Sequence, residues 1–530
     1  MTMKVTSRFL QGIINHSNFP IILLLTINII TGCMTFRDYG LSWDEPLFYR
    51  YADAIGYAYS IQARIQGTFD IEKAFGPSAY DHRNRGPAYL LIAHRFVSVL
   101  EDIPGVDNAS AWHLTNFLTF QVGVFFLYGI CRRWVKPWSA FAAAFLFSSQ
   151  PLLWGHAFIN PKDPPFMVFF LGTIYFGLRM VDELVKEPVT KQTVCSRLFK
   201  VILSGIFMGL ATSIRILGPL AGGLIIIYAI LLQKPKKLLW FIPYGLVAAL
   251  TTLVTWPFLW ADPINRLIEV IKFMSSNPTQ LPVLFMGTLF RANELPRRYF
   301  PLLLGITLTE PVGFLFAVSL VICVIRAWKK QMEWKSIGII LAWFVIPFSY
   351  VIVTKPSMYD GYRHFLFIIP PIFILTSITF DAVLSLIYKH WVSVLFIVAI
   401  AMPGIYESIH LHPYEYTYYN AFTGGISGAF RKFETDYWLT CYKETMEKLN
   451  QFAPSHPFIF VHREYYIAGY YAADGVQVKN YRGEAKNLSS GNYILVSTRA
   501  NDDQKIQRQE PVIFSIGRDG AIFCVVKQVR

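Results

Sequence analysis

The chain has 530 residues, 54% of them hydrophobic and only 15% charged, with a formal net charge of +14. So many apolar residues, arriving in long runs, exclude a soluble globular protein of this length and indicate a polytopic membrane protein. The positive balance does not point to nucleic acid, because the basic residues fall in short tracts between apolar runs, where membrane orientation accounts for them.

Lys4 and Arg8 precede the first apolar run, 19–36, which is long enough to span and is followed by no small-residue cleavage pattern. It reads as a retained first helix. Ten further runs follow: 111–130, 138–157, 165–181, 198–214, 217–232, 238–259, 309–327, 334–353, 364–387 and 390–406. With the N-terminus in the cytoplasm, the five short inner loops (131–138, 182–200, 233–237, 326–335, 388–391) hold fifteen Lys and Arg. The short outer loops 155–164, 213–218 and 354–364 hold four. That asymmetry supports a cytoplasmic N-terminus and an extracytoplasmic C-terminus.

Three larger pieces then lie outside. Loop 37–110 contains a predicted amphipathic helix near 53–66 and an apolar helix near 89–100 that lies on or dips into the membrane. Loop 260–308 is marked by Pro278, Pro282 and Pro296. After about residue 407 the pattern changes, with short strands expected at 458–461, 493–497, 512–516 and 521–527 and a helix at 437–452. The predicted fold is thus an α-helical polytopic membrane domain over 1–406 and a linker with a small α/β domain over 407–530. Cys441 and Cys524 fall in that outer part; they either pair there or remain as two buried thiols.

The ionisable residues of the outer face are the candidates for chemistry. Asp44 and Glu45, between Trp43 and Pro46, follow directly on the first span, where desolvation on one side and water on the other can tune a general base. Asp163 opens the fourth span, either as a helix-end carboxylate or as a catalytic or substrate-orienting one. Arg215, Arg363, Arg83 and Arg85 share that face, with His364 beside Arg363, and arginine suits bidentate phosphate binding. Carboxylates and arginines together at one membrane surface suit a phosphorylated, membrane-delivered substrate. A transporter would place such groups nearer the bilayer midplane.

With the acidic pair after the first span, Asp163 before the fourth and the stretch YRHFLFIIPP before a late one, the first 400 residues resemble the GT-C class of polytopic glycosyltransferases. The likeness is to the protein O-mannosyltransferase and lipid A aminoarabinose transferase branch. It implies an inverting transfer of a sugar from a polyprenyl-phosphate donor to an acceptor hydroxyl of a protein, lipid or glycan. In that scheme Asp44 is the base, Glu45 and Asp163 orient donor or acceptor, and arginines hold the leaving phosphate. Where that branch usually carries an arginine before the second acid, this chain has Lys162, which joins Arg83, Arg85, Arg215, Arg363 and His364 as a phosphate-binding candidate. Where protein mannosyltransferases usually show His-Pro-Pro, it has Asp81-His82-Arg83-Asn84-Arg85-Gly86-Pro87.

With one Asp-Glu pair and one further Asp, no metal cofactor is expected; a bound ion would be of the hard Mg²⁺ or Mn²⁺ type. The expected partners are the lipid-phosphate donor, membrane lipid and an acceptor, with no nucleic acid. The setting is a plasma, inner or endoplasmic-reticulum membrane. Segment 412–438 reads as a packed linker or as an acceptor-binding stretch. The alternative functions are a lipid-linked sugar flippase, in which Asp44 is dispensable, and a non-catalytic receptor or scaffold, in which all the outer acids are replaceable.

Overall fold

The structure is a computed structural model that describes residues 18–186, 190–232, 235–276, 280–452 and 457–530. Lys4, Arg8 and Pro278 lie outside the described residues. Among the described residues, eight helices are long and apolar enough to cross a membrane, and three shorter apolar helices (Phe19–Thr35, Pro137–Ser148 and Pro219–Leu231) accompany them.

The helices Asn108–Cys131 and Asp163–Val185 and the stretch Arg363–Leu386 are enclosed by protein over most of their surface. Helices Lys191–Ile214, Glu310–Trp328, Trp334–Thr354 and His390–Leu411 are largely uncovered. A helix that is apolar all round and still uncovered needs lipid against it, so the second group forms the outer ring and the first the core.

The third expected span, 138–157, is two helices, Pro137–Ser148 and Pro151–Ile159. Pro151 has no N–H to continue the ladder. The Gln150 amide fills the break, donating to the Leu146 carbonyl at 2.9 Å and to Thr309 Oγ1 at 3.0 Å while accepting from the Thr309 N–H at 3.0 Å.

Because successive spans alternate in direction, the connections after residues 35, 159, 214, 255, 354 and 411 emerge at one end of the bundle. All the larger extramembrane elements are there. The first outer loop departs from the sequence reading. Its amphipathic helix is Glu45–Ile55 rather than 53–66, because the chain tightens into a 3₁₀ turn over Gly56–Tyr59 and Ser60 caps a new short helix, Ile61–Ile65. The apolar helix Ala88–Glu101 packs on the enclosed span Asn108–Cys131 and on Glu45–Ile55.

Loop 260–308 holds a helix, Pro263–Ser276, and a hairpin of β1 (Pro282–Phe285) and β2 (Thr288–Arg291). Met286 and Gly287, both at positive φ (53° and 81°), form the two-residue turn that suits strand twist.

The C-terminal part is a five-stranded mixed sheet in the order β4-β3-β5-β7-β6. Here β3 is Phe458–Val461, β4 Gln477–Asn480, β5 Tyr493–Ser497, β6 Val512–Arg518 and β7 Ala521–Gln528. Strand β4 gave no sequence signal: an edge strand of Gln, Val, Lys and Asn has one apolar residue. The helix expected from Tyr437 starts at Cys441. Asp436 holds the start, its carboxylate accepting from the N–H groups of Thr440 at 3.0 Å and Cys441 at 2.9 Å. A Cys441–Cys524 disulfide, with Cα atoms 6.1 Å apart, ties this helix to β7.

Candidate active site

Asp44 is the residue before the helix Glu45–Ile55, yet its side chain makes no cap hydrogen bond. Its carboxylate, 27% exposed, turns instead to Arg363, whose Nη1 donates to Oδ2 at 2.7 Å. Glu45, one residue on, points about 100° away round the helix and is wholly buried. It accepts from the Ser42 N–H at 2.6 Å and from the Tyr49 hydroxyl, with His113 Nε2 3.0 Å away. The two adjacent acids therefore have different surroundings: Asp44 faces the site and Glu45 is locked in the core.

Asp163 stands where the helix Pro151–Ile159 hands over to Asp163–Val185. Asn160, not Asp163, covers the free donors of that turn, accepting from the Lys162 N–H at 3.2 Å and the Asp163 N–H at 3.0 Å. The prolines at 164 and 165 cost nothing in a first helical turn, where N–H groups lack partners. The Asp163 carboxylate, 2% exposed, is thus left for other groups. It accepts from Asn160 Nδ2 at 3.0 Å and from Arg215, and Arg363 Nη1 lies 3.7 Å away.

Arg215 reaches this point from the extended residue that ends helix Lys191–Ile214. The first outer loop packs directly on that helix end. A Cβ on Gly86 would meet the Ser213 carbonyl oxygen at 1.8 Å, so no side chain fits there. That contact delivers the neighbouring Arg85, whose guanidinium pairs with Asp81 through bonds of 2.8 and 3.0 Å.

Lys162 is buried with its Nζ 5.5 Å over the Phe48 ring. Burial, and then the charges of Arg85 and Arg215, push its ammonium well below the ordinary lysine value. Burial, then Arg363 and Arg85, bring Arg215 down to about 9. These cations are under mutual repulsion, a condition that an anion relieves.

The structure thus brings together Asp44, Asp163, Arg85, Lys162, Arg215 and Arg363. His364 adjoins them, its ring edge-on to Tyr359 at 5.0 Å. Arg83 turns away, its guanidinium 3.5 Å from Glu269 and its carbonyl accepting from Trp256 Nε1 at 3.0 Å.

Other residues belong to the site that sequence patterns did not single out. Asp360, wholly buried and at positive φ (56°), lies 3.3 Å from Arg363 Nη2 and accepts from Trp438 Nε1 at 3.0 Å. The sequence places it in the same short loop as Arg363, three residues before it, without giving it a role. His156 bridges Asn160 Nδ2 (3.2 Å) and the Tyr437 hydroxyl (3.0 Å). Glu434 is buried, with Arg499 Nη2 3.9 Å from its Oε1. Burial raises its proton affinity to about 7, Asp360 adding to the rise and Arg499 opposing it. It lines, with His156, Arg363, Tyr416 and Tyr437, a cavity of about 20 Å³, room for a water molecule. Segment 412–438 therefore forms a wall of the site.

Among the described residues, one group of three metal-ligating side chains is close enough to share an ion: Asp436, Cys441 and Cys524. Its sulfurs are joined in the disulfide. At the candidate site, Asp44 and Asp163 each face a guanidinium group.

Residues 88–260 match the family model described as dolichyl-phosphate-mannose-protein mannosyltransferase. Comparison with curated protein sequences gives no match. Among solved structures, ArnT from Cupriavidus metallidurans in the apo state is similar at 14% identity, over 96% of this chain and 97% of that one, with a TM-score of 0.50. The archaeal oligosaccharyltransferase AglB from Archaeoglobus fulgidus, in complex with an inhibitory peptide and a dolichol-phosphate, is similar at 11% identity. That match covers 92% of this chain and 70% of that one, with a TM-score of 0.52. The chain therefore has the fold of the GT-C class of polytopic membrane glycosyltransferases.

Proposed function

We propose that the protein is an inverting glycosyltransferase that moves a sugar from a polyprenyl-phosphate donor to an acceptor hydroxyl at the extracytoplasmic membrane surface. The observation that carries this reading is the meeting of a part-exposed carboxylate, Asp44, with the buried cations Arg363 and Lys162 and the largely covered Arg215 at the end of the enclosed spans. In this scheme Asp44 takes the proton from the acceptor hydroxyl, and the oxygen forms a bond to the anomeric carbon from the face opposite the phosphate. The bond from that carbon to the phosphate oxygen breaks with its electron pair. Lys162, Arg215, Arg363 and Arg85 receive the charge that develops on the leaving phosphate, preorganised and partly desolvated. Asp163 holds Arg215 in place for this step.

The family match and the dolichol-phosphate bound by AglB support a lipid-phosphate donor. The excess of Lys and Arg in loops at the opposite end of the bundle supports an extracytoplasmic site with a cytoplasmic N-terminus. In this reading 1–406 supplies the transfer chemistry and 407–530 the outer linker and α/β domain. The transfer needs no divalent ion, because guanidinium groups face both candidate carboxylates.

The test is transfer of radiolabelled sugar from a panel of polyprenyl-phosphate sugars to membrane acceptors by the purified protein, with and without EDTA, against Asp44→Asn. The expected outcome is EDTA-resistant transfer that collapses in the variant. Full transfer by Asp44→Asn overturns the assignment of the base. Movement of lipid-linked sugar across proteoliposomes with no transfer overturns the enzyme.

A further inference from the structure

We propose that Arg499, carried by the C-terminal sheet, is a positioning residue of the transfer site: it fixes the Asp44 loop and the Asp360–Arg363 pair that holds the base. This rests on the reading of Asp44 and the surrounding cations as that site.

Arg499 follows β5 by two residues. Thr498 anchors the turn, its Oγ1 donating to the Ile522 carbonyl at 2.7 Å. Ala500 and Asn501 then both take left-handed backbone conformations, with φ of 53° and 59°. Two consecutive non-glycine residues in that region are unfavourable and persist only where their surroundings hold them. The turn they make sends the Arg499 side chain inward.

There the guanidinium, with no exposed surface, does three things. Its Nη2 pairs with Asp360 Oδ1 at 2.8 Å, its Nη1 donates to the Tyr437 carbonyl, and its Cζ lies 4.2 Å from the Trp43 ring centroid. Asp360 in turn faces Arg363 at 3.3 Å, and Arg363 bonds Asp44 at 2.7 Å. Alternating charges therefore run without a gap from the C-terminal sheet to the base.

The backbone leading to Asp44 is held by the same layer. The Trp43 N–H donates to the Trp438 carbonyl at 3.2 Å, and the Trp43 carbonyl accepts from the Tyr466 hydroxyl at 2.8 Å. The Leu41 N–H donates to the Tyr471 hydroxyl at 2.8 Å. Gly40 lies so close to the chain that a Cβ there would meet the Thr440 carbonyl at 2.3 Å.

An ion pair that served only to attach the sheet would be a poor device, since burying both charges offsets most of their attraction. Its position explains it better. With Arg499 gone, Asp360 keeps Arg363 as its cationic neighbour and competes with Asp44 for it. Arg363 then leaves both the base and the phosphate it would bind.

The effect has a direction, and a second substitution should reverse it. The full-length protein in detergent is compared as wild type, Arg499→Gln and Arg499→Gln with Asp360→Asn, the asparagine oxygen still accepting from Trp438. Binding of undecaprenyl phosphate and transfer from polyprenyl-phosphate sugars are both measured. Arg499→Gln is expected to weaken undecaprenyl-phosphate binding about tenfold and to lower kcat by at least as much, and the double variant to recover most of both. If Arg499→Gln does not fold, Arg499→Lys with and without Asp360→Asn makes the same comparison, with a smaller loss expected. Unchanged binding and kcat in the single variant overturn the proposal. So does a loss that Asp360→Asn fails to reverse, since that is the behaviour of a residue that only attaches the sheet. Wild type that binds no undecaprenyl phosphate overturns the lipid-phosphate reading and this proposal with it. Wild type that binds it but transfers no sugar overturns the transfer reading alone, and the binding arm still decides the role of Arg499.

Discussion

Replacing Asp44 and Asp163 by asparagine should separate chemistry from stability. Asp44 is 27% exposed, and its recorded partner, Arg363, keeps Asp360 at 3.3 Å and Asp163 at 3.7 Å when Asp44 loses its charge. The stability change for Asp44→Asn should be about 1 kcal/mol or less, as for other part-exposed pairs. Transfer should fall by about 10²–10⁴, the contribution of a positioned general base. Asp163 is 2% exposed and faces Arg215, whose side chain is 15% exposed, so Asp163→Asn leaves a largely covered guanidinium without its carboxylate. Breaking a buried pair in this way costs about 3–5 kcal/mol. Unfolding entropy of about 2.1 cal/mol/K per residue gives roughly 1.1 kcal/mol/K for a chain of 530 residues, so Tm should drop by about 3–5 °C. The assay is Tm in detergent alongside transfer from a polyprenyl-phosphate sugar. An Asp44→Asn variant that loses as much Tm as Asp163→Asn would refute the assignment of one acid to chemistry and the other to holding Arg215.

Lys162 makes anion binding depend on pH. Its ammonium is held well below the ordinary lysine value in the free site, and an adjacent phosphate raises it, so binding takes up a proton. Affinity for undecaprenyl phosphate should fall as pH rises above the free-site value, by up to about tenfold per pH unit, until the pH reaches the higher value that the bound phosphate gives the ammonium. Calorimetry across pH checks this, and Lys162→Met should flatten the slope. Glu45→Gln should lower Tm, because a buried acceptor of the Ser42 N–H and the Tyr49 hydroxyl is weakened, at a cost of about 1–3 kcal/mol. The kcat of the folded fraction should change less than in Asp44→Asn. Cys441→Ser with Cys524→Ser releases a loop of 83 residues, for which chain entropy gives about 4.5 kcal/mol. Thermal unfolding should show an earlier transition in the double-serine variant, and an unchanged Tm would refute the entropic account.

The spans were legible because a run of some 18 apolar residues has few other physical readings, and the boundary at Pro151 was missed only because proline is tolerated in many membrane helices. Asp163, Arg215 and Arg363 were legible as a group for a related reason. Once the spans alternate, charged residues at their ends can occupy one of two surfaces, and those three fall on the same one. The choice between Asp44 and Glu45 came from the resemblance and not from the residues themselves. Both belong to one turn, and the decision is made by Tyr49 and His113, whose side chains draw Glu45 into the core. Arg83 and Arg85 present the same problem: two residues apart in one loop, they part company because Asp81 and Glu269 take one each.

Asp360 and Arg499 show where sequence reading stops. They meet at 2.8 Å from elements 139 positions apart in the numbering, and neither lies in a pattern of its own. What brings them together is a turn with two left-handed residues in a sheet that looks, residue by residue, like an ordinary small outer domain. The buried charges near Asp44 nevertheless require such a partner. Arg215 takes Asp163 and Arg363 is shared between Asp44 and Asp360, so the wholly buried Asp360 needs a further cation, and the C-terminal layer supplies it as the Arg499 guanidinium. A membrane bundle that must keep two carboxylates and several cations out of water while leaving a third carboxylate, Asp44, reachable needs a polar lid with its own charges. That requirement, rather than attachment of a separate domain, accounts for a C-terminal sheet that reaches its side chains into the site.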